Sequence, residues 1–220
     1  MPLFTRKELL PIVIILFVII FSIFVYSSLP EQVPSHWNAQ GEIDDWSSRS
    51  FTVWFYPSLV VGIYLLMVFV PLIDPLKRNY NSFRIPYYWL RTGFVIFFSA
   101  LYLFTVWTAL GGDLNVNYFI LPLLSLLFIL IGLFLPKVKK NYFVGIRTPW
   151  TLASEETWNK THALGGKLFI LVGLVSMLGF FLCDKAILLF MISIFAAIFA
   201  LFVYSYFIFK RVEGFKENNN

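Results

Sequence analysis

Six long apolar runs, at 9–29, 51–73, 92–111, 118–135, 168–183 and 186–209, contain no Asp, Glu, Lys, Arg or His. A hydrocarbon core of about 30 Å is crossed by a helix of about 20 apolar residues, and no water inside it can satisfy an open backbone. Each run is therefore predicted to be a spanning helix. Charged residues make up 13% of the 220-residue chain, against roughly 25% in a soluble domain, which excludes a soluble enzyme. The fold class that follows is all-α, a polytopic membrane protein with six transmembrane helices. The first run exceeds the ~7–15 residues of a signal-peptide core, so it reads as an uncleaved span. The run at 168–183 is the shortest and borrows Gly165, Gly166 and Lys167 to begin in the interface.

Orientation follows from the basic residues of the short loops. Fifteen of the 17 Lys and Arg lie before run one, between runs two and three, between runs four and five, or after run six; Arg49 and Lys185 lie on the other side. Both termini are thus expected in the cytoplasm, with a basic inner face that favours anionic membrane lipids. The net charge of +5 lies in loops between spans and not along one face, so no direct nucleic-acid contact is expected. Two halves result: 1–111, three spans with an outer loop at 30–50, and 112–220, three spans with an inner loop at 137–167.

Ion-coupled transporters and voltage sensors place ionisable groups at membrane depth, and the six runs hold none. P-loop, H-E-x-x-H and G-x-S-x-G patterns are also missing. His36 and His162 fall on opposite faces and cannot share a metal, and the single Cys183 cannot close an internal disulfide. No metal, no cofactor and no enzymatic activity are expected. Pro57, Pro71 and Pro122 fit spans whose neighbours re-satisfy the backbone. Ala196 and Ala200 form a small-residue pair suited to close helix packing.

Two loops carry the remaining information. The outer one combines Pro30, Pro34 and Gly41 with four acids and with His36, Trp37 and Trp46. The prolines and the glycine favour a compact loop of defined shape, and its exposed aromatics favour either interface anchoring or recognition. Acids plus aromatics suit a cationic or amphipathic peptide. In the inner loop, Thr148 before Pro149 is biased to extended geometry, and Ser154 is a good N-cap ahead of Glu155 and Glu156. A short helix is expected to reach about Leu164 and to stop at Gly165 and Gly166. Trp158, Thr161 and His162 share one of its faces, fit either for the lipid headgroups or for a cytoplasmic partner.

The inner segment resembles the signature of the SdpI family of membrane immunity proteins, through Asn141, Gly145, Ile146, Arg147, Thr148, Pro149, Trp150, Thr151, Leu152, Trp158, Thr161 and His162. The outer loop is similar to a domain of unknown function that often precedes that signature, through Leu29, Pro30, Pro34, His36, Trp37, Gly41 and Asp44. The resemblance implies protection against a secreted, sporulation-delaying peptide toxin, and retention of a cytoplasmic transcriptional repressor of the ArsR-like class at the membrane. The residues expected to meet the toxin are Pro34, His36, Trp37, Gly41, Asp44 and Trp46. Those expected to dock the repressor are Asn141, Gly145, Arg147, Thr148, Pro149, Trp150, Thr151, Trp158 and His162. Two other readings stay open: a membrane enzyme on lipid or cell-wall precursor with His36 and Asp44 or Asp45 as acid and base, and a transporter of peptide or small molecule.

Overall fold

The computed structural model describes residues 8–179 and 185–214. Among them are six helices long and apolar enough to cross a membrane. In chain order the elements are α1 (Leu9–Val25), β1 (Gln32–Trp37), β2 (Ile43–Ser48), α2 (Arg49–Ile73), α3 (Arg84–Ala109), α4 (Val116–Phe134), α5 (Pro149–Ala153), α6 (Glu155–Gly179) and α7 (Ala186–Val212). Helices α1, α2 and α3 pack on one another, as do α4, α6 and α7, and α3 against α4 joins the two sets. The chain is a multi-pass membrane protein. Phe24, Ile23, Leu66, Phe199 and Phe207 point outward, as lipid-facing side chains should. Cys183 and the last residues of the run at 168–183 lie outside the described residues.

Polar side chains start the helices where the chain re-enters the bundle. Ser48 Oγ accepts from the Phe51 N–H at 3.2 Å and Asn115 Oδ1 from the Asn117 N–H at 2.9 Å. Each satisfies an amide that the first helical turn leaves open.

The first departure from expectation is the outer loop, which is an antiparallel β1–β2 hairpin with an irregular register around His36. Pro34 is tolerated in β1 because a two-stranded ribbon offers an open edge to a residue without an N–H. Val33 and Leu29 at its base are buried with Val18, Val25, Val53, Tyr102 and Val106, so the hairpin closes one end of the α1–α3 set.

The second departure is α6, one helix from Glu155 through Gly165 and Gly166, with no stop near Leu164. These glycines serve close approach. A Cβ on Gly166 would stand 2.8 Å from the Gly132 carbonyl oxygen, and one on Gly173 2.8 Å from the Ser125 carbonyl oxygen. Ser125 Oγ donates to the Gly173 carbonyl at 2.6 Å and Ser176 Oγ to the Leu121 carbonyl at 3.1 Å. Small residues and interhelical hydrogen bonds replace the hydrophobic driving force that lipid cannot supply. Ala196 and Ala200 both face outward and take no part in this packing.

The third is α3, which starts at Arg84 and so carries Arg91 about two turns inside the helix, buried. Its guanidinium pairs with the buried Glu8 carboxylate, and the Tyr64 hydroxyl donates to the same carboxylate at 3.0 Å. The rings of Tyr64, Tyr87 and Tyr88 surround the cation at 5.5, 5.9 and 6.0 Å. The six runs are free of charge, yet the helices α2, α3, α6 and α7 that overlap four of them are not. A buried pair of this kind pins the start of α1 to α2 and α3.

Candidate functional site

The signature loop lies at the end of the bundle where α2 leaves and α3 begins. After α4, the chain crosses a 3-10 turn at Leu135–Lys137 and reaches Asn141, which is fully buried. Asn141 Oδ1 accepts from the Phe143 and Val144 amides at 2.9 and 2.6 Å, and its Nδ2 donates to the Lys139 and Val144 carbonyls. One side chain thereby folds the turn from Lys139 to Val144. The Tyr80 hydroxyl lies 3.2 Å from the same Oδ1 and 3.1 Å from Asp74 Oδ2, donating between them. Asp74 in turn accepts from the Tyr142 N–H at 3.0 Å and the Leu76 N–H at 2.7 Å. Burial beside that carboxylate pushes the Tyr80 phenol above its usual pKa range. Asn79 Nδ2 completes the clamp on the Lys140 carbonyl at 2.7 Å.

Asp74, Asn79 and Tyr80 escaped the sequence reading. The available signal was an acid directly after a span, in a loop where bases prevail.

Beyond the turn, Gly145 adopts φ 116°, a conformation that disfavours side chains, and a Cβ there would collide with the His162 ring. Thr148 is extended as expected and forms a reciprocal capping box with Thr151 at the start of α5. Thr148 Oγ1 also donates to Ser205 Oγ of α7 at 3.0 Å, and Thr151 Oγ1 to the Ile146 carbonyl at 2.9 Å. Trp150 packs edge-on against Phe202 and Tyr206 of α7. Ser154 caps α6 as expected, accepting from the Thr157 N–H at 3.3 Å.

Trp158, Thr161 and His162 share a face, and that face turns inward: all three are buried. Trp158 Nε1–H donates to the Val138 carbonyl at 2.9 Å, and its ring stacks on His162 at 4.1 Å. The Ile146 N–H can only donate, so His162 Nε2, 2.9 Å away, must accept; Nδ1–H then donates to the Trp158 carbonyl at 2.8 Å. This bonding fixes a neutral tautomer. Trp158 belongs to one core with Val70, Tyr80, Phe83, Tyr87, Leu90, Phe134 and Val138, which binds the signature loop to both halves of the chain. Of the residues expected to dock a partner, Asn141, Thr148, Thr151, Trp158 and His162 are interior, Trp150 is half-buried, and Gly145, Arg147 and Pro149 are exposed. Arg147 Nη1 donates to the Tyr142 carbonyl at 2.6 Å.

At the opposite end the hairpin presents a different surface. His36 Nδ1–H donates to Asp44 Oδ1 at 2.6 Å, with both side chains open to solvent. Asp45 and Trp46 are exposed beside them, Trp46 at 51%. Trp37 is half-buried against Phe104 of α3 at 6.1 Å, and Phe104 stacks on Phe119 of α4 at 4.4 Å. Pro34 is buried at the base. Gly41 has φ 82° at the tip, where a side chain would run into Asn115. Asn115 and Asn117 donate to the carbonyls of Gln40 and Ala39 at 2.7 and 3.0 Å. The hairpin is thus fastened at its base to α1–α3 and at its tip to the start of α4, and it holds His36, Asp44 and Trp46 outward. Among the described residues no three His, Cys, Asp or Glu gather as metal ligands would.

Comparison with known proteins places these two regions. Residues 137–205 match the SdpI/YfhL protein family, and residues 13–61 match a domain of unknown function, DUF1648. Over 210 residues, 95% of this chain and 99% of the relative, the sequence is 25% identical to the immunity protein SdpI of Bacillus subtilis strain 168. No solved structure matches the chain. The signature loop and its following helices therefore match an SdpI/YfhL domain and the first two helices and the hairpin a DUF1648 domain, in a multi-pass membrane protein that is similar to SdpI along nearly its whole length.

Proposed function

We propose that this chain is a membrane immunity protein that protects its bacterial host against a secreted peptide toxin, with the hairpin as the recognition surface. The observation that carries the reading is similarity along nearly the whole length of a protein named for immunity, hairpin and signature loop included. The hairpin supports it physically. Recognition costs less when the contact groups are already held in place, and His36, Asp44 and Trp46 stand exposed on a ribbon anchored at both ends. The acids of this loop favour a cationic or amphipathic peptide.

The basic loops place both termini and the signature loop in the cytoplasm in this reading. The second part of the proposal is that the exposed Arg147 and Pro149 dock an ArsR-like repressor, while membrane lipids surround the spans. The halves 1–111 and 112–220 then divide the work, one facing the toxin and the other the regulator. A toxin can shift the inner surface only if it prefers one arrangement of the helices over another.

The test is survival of a toxin-sensitive strain that expresses the protein and is challenged with sporulation-delaying peptide toxin. Protection by the intact chain supports immunity, and its absence at normal membrane level refutes it. Arg147→Glu is expected to spare survival and to release a fluorescent repressor from the membrane. Repressor fluorescence unchanged by this substitution, or never at the membrane, would remove the second part alone.

A further inference from the structure

The face between α1 and α2 at the hairpin end carries a cleft of about 800 Å³ lined by Ile19, Ser22, Ile23, Val53, Trp54 and Gly62, among others. Ser22 on its floor is satisfied within the bundle, since its Oγ donates to the Val18 carbonyl at 2.8 Å and lies in hydrogen-bond contact with the Tyr102 hydroxyl at 2.7 Å. Its walls open sideways, with Ile23 and Trp54 exposed at 69% and 71%. From Val53 to Gly62 a helix rises about 14 Å. One leaflet of a bilayer has a hydrocarbon depth of about 15 Å. The cleft is therefore about as long as the hydrocarbon of one leaflet is deep.

At its interfacial end stands Arg49, whose guanidinium lies 4.8 Å over the Tyr26 ring that lines the cleft and whose Nη1 donates to the Leu29 carbonyl at 3.1 Å. Among the described residues Arg49 has no ion pair. The Tyr26 and Ser50 hydroxyls, 3.1 Å apart, lie on the same rim. At the deep end is Gly62. A Cβ on Gly62 would meet nothing within 4 Å, so packing within the chain does not require a glycine in the middle of a helix, where it is unfavourable. Its lack of a side chain keeps the cleft open.

We propose that this cleft binds an anionic phospholipid, with one acyl chain lying along α1 and α2 down to Gly62 and the phosphate on Arg49. The depth matches one leaflet, the lining is mostly apolar, and Arg49 at the rim, without an ion pair among the described residues, can pair with a phosphate. The site goes beyond toxin immunity and does not depend on it.

The test is native mass spectrometry of the full chain released from nanodiscs of equal phosphatidylglycerol and phosphatidylethanolamine. The wild-type protein is expected to retain one lipid, with phosphatidylglycerol preferred about tenfold. Arg49→Gln should abolish that preference, Arg49→Lys should restore part of it, and Gly62→Phe should expel lipid of either kind while leaving Arg49 in place. Helicity and melting temperature, measured for every variant, confirm that each is folded. A wild-type chain that retains no lipid, including one that instead takes up a toxin peptide, overturns the proposal. So does a folded Gly62→Phe that retains lipid like wild type, or a folded Arg49→Gln that keeps the preference.

Discussion

The hairpin lies in the stretch that matches DUF1648 and the signature loop in the stretch that matches the SdpI/YfhL family, and they use their residues in opposite ways. In the signature loop the shared residues are mostly interior: Asn141 folds the turn, Thr148 and Thr151 cap each other, and Trp158 and His162 fill the core. In the hairpin the buried members, Pro34 and the partly covered Trp37 and Gly41, position others that stay exposed, namely His36, Asp44 and Trp46. A motif residue can therefore mark a scaffold or a surface, and only burial tells the two apart. Substitutions in the first region should cost stability, whereas those at the hairpin's outer face should cost function alone.

The sharpest contrast is expected from Trp158→Ala. Deleting a fully buried indole costs about 3–5 kcal/mol and leaves the Val138 carbonyl without its donor. The expected result is a large fall in melting temperature and in steady-state membrane level. Arg91→Ala, which strands Glu8 as a buried unpaired charge, is expected to cost a similar ~3–5 kcal/mol. The double variant Glu8→Gln, Arg91→Met should recover most of that in the same thermal assay. Recovery separates the pairing of charges from a demand for charge itself.

Gly166→Val forces a side chain onto the Gly132 carbonyl and should separate α4 from α6 at a cost of about 1–3 kcal/mol. A disulfide-trapping scan between the two helices would register the loss of close approach. Asn117→Ala removes one bond from hairpin tip to α4, worth about 1 kcal/mol, and should raise amide exchange in the hairpin with little change in melting temperature. Trp46→Ala, on an exposed strand position, should stay within about 0.5 kcal/mol of wild type.

Much of this architecture was legible in the chain. Six apolar runs specify six spans because lipid leaves a backbone no alternative, and Ser154 and Thr148 act as their chemistry dictates. The failures have physical reasons. Gly165 and Gly166 signal a helix stop in water, but in α6 Gly166 lets the Gly132 backbone come close and Gly165 makes room for the Ile146 side chain. Pro34 reads as part of a compact loop, yet an edge of a two-stranded ribbon tolerates it. The start of α3 was placed after Arg91 because charge was taken to end a span, whereas Glu8, on a different helix, supplies the compensating carboxylate. Spacing put Trp158 and His162 on one face. The direction of that face is set by Val138, Ile146 and the α2–α3 turn, which no local pattern encodes.

The most direct test of the division between scaffold and surface is toxin survival with the combined His36→Ala, Asp44→Asn, Trp46→Ala variant, with membrane level and melting temperature measured alongside. The account predicts wild-type level and melting temperature together with loss of protection. Full protection by this variant, or loss of protection that merely follows loss of folded protein, would contradict it.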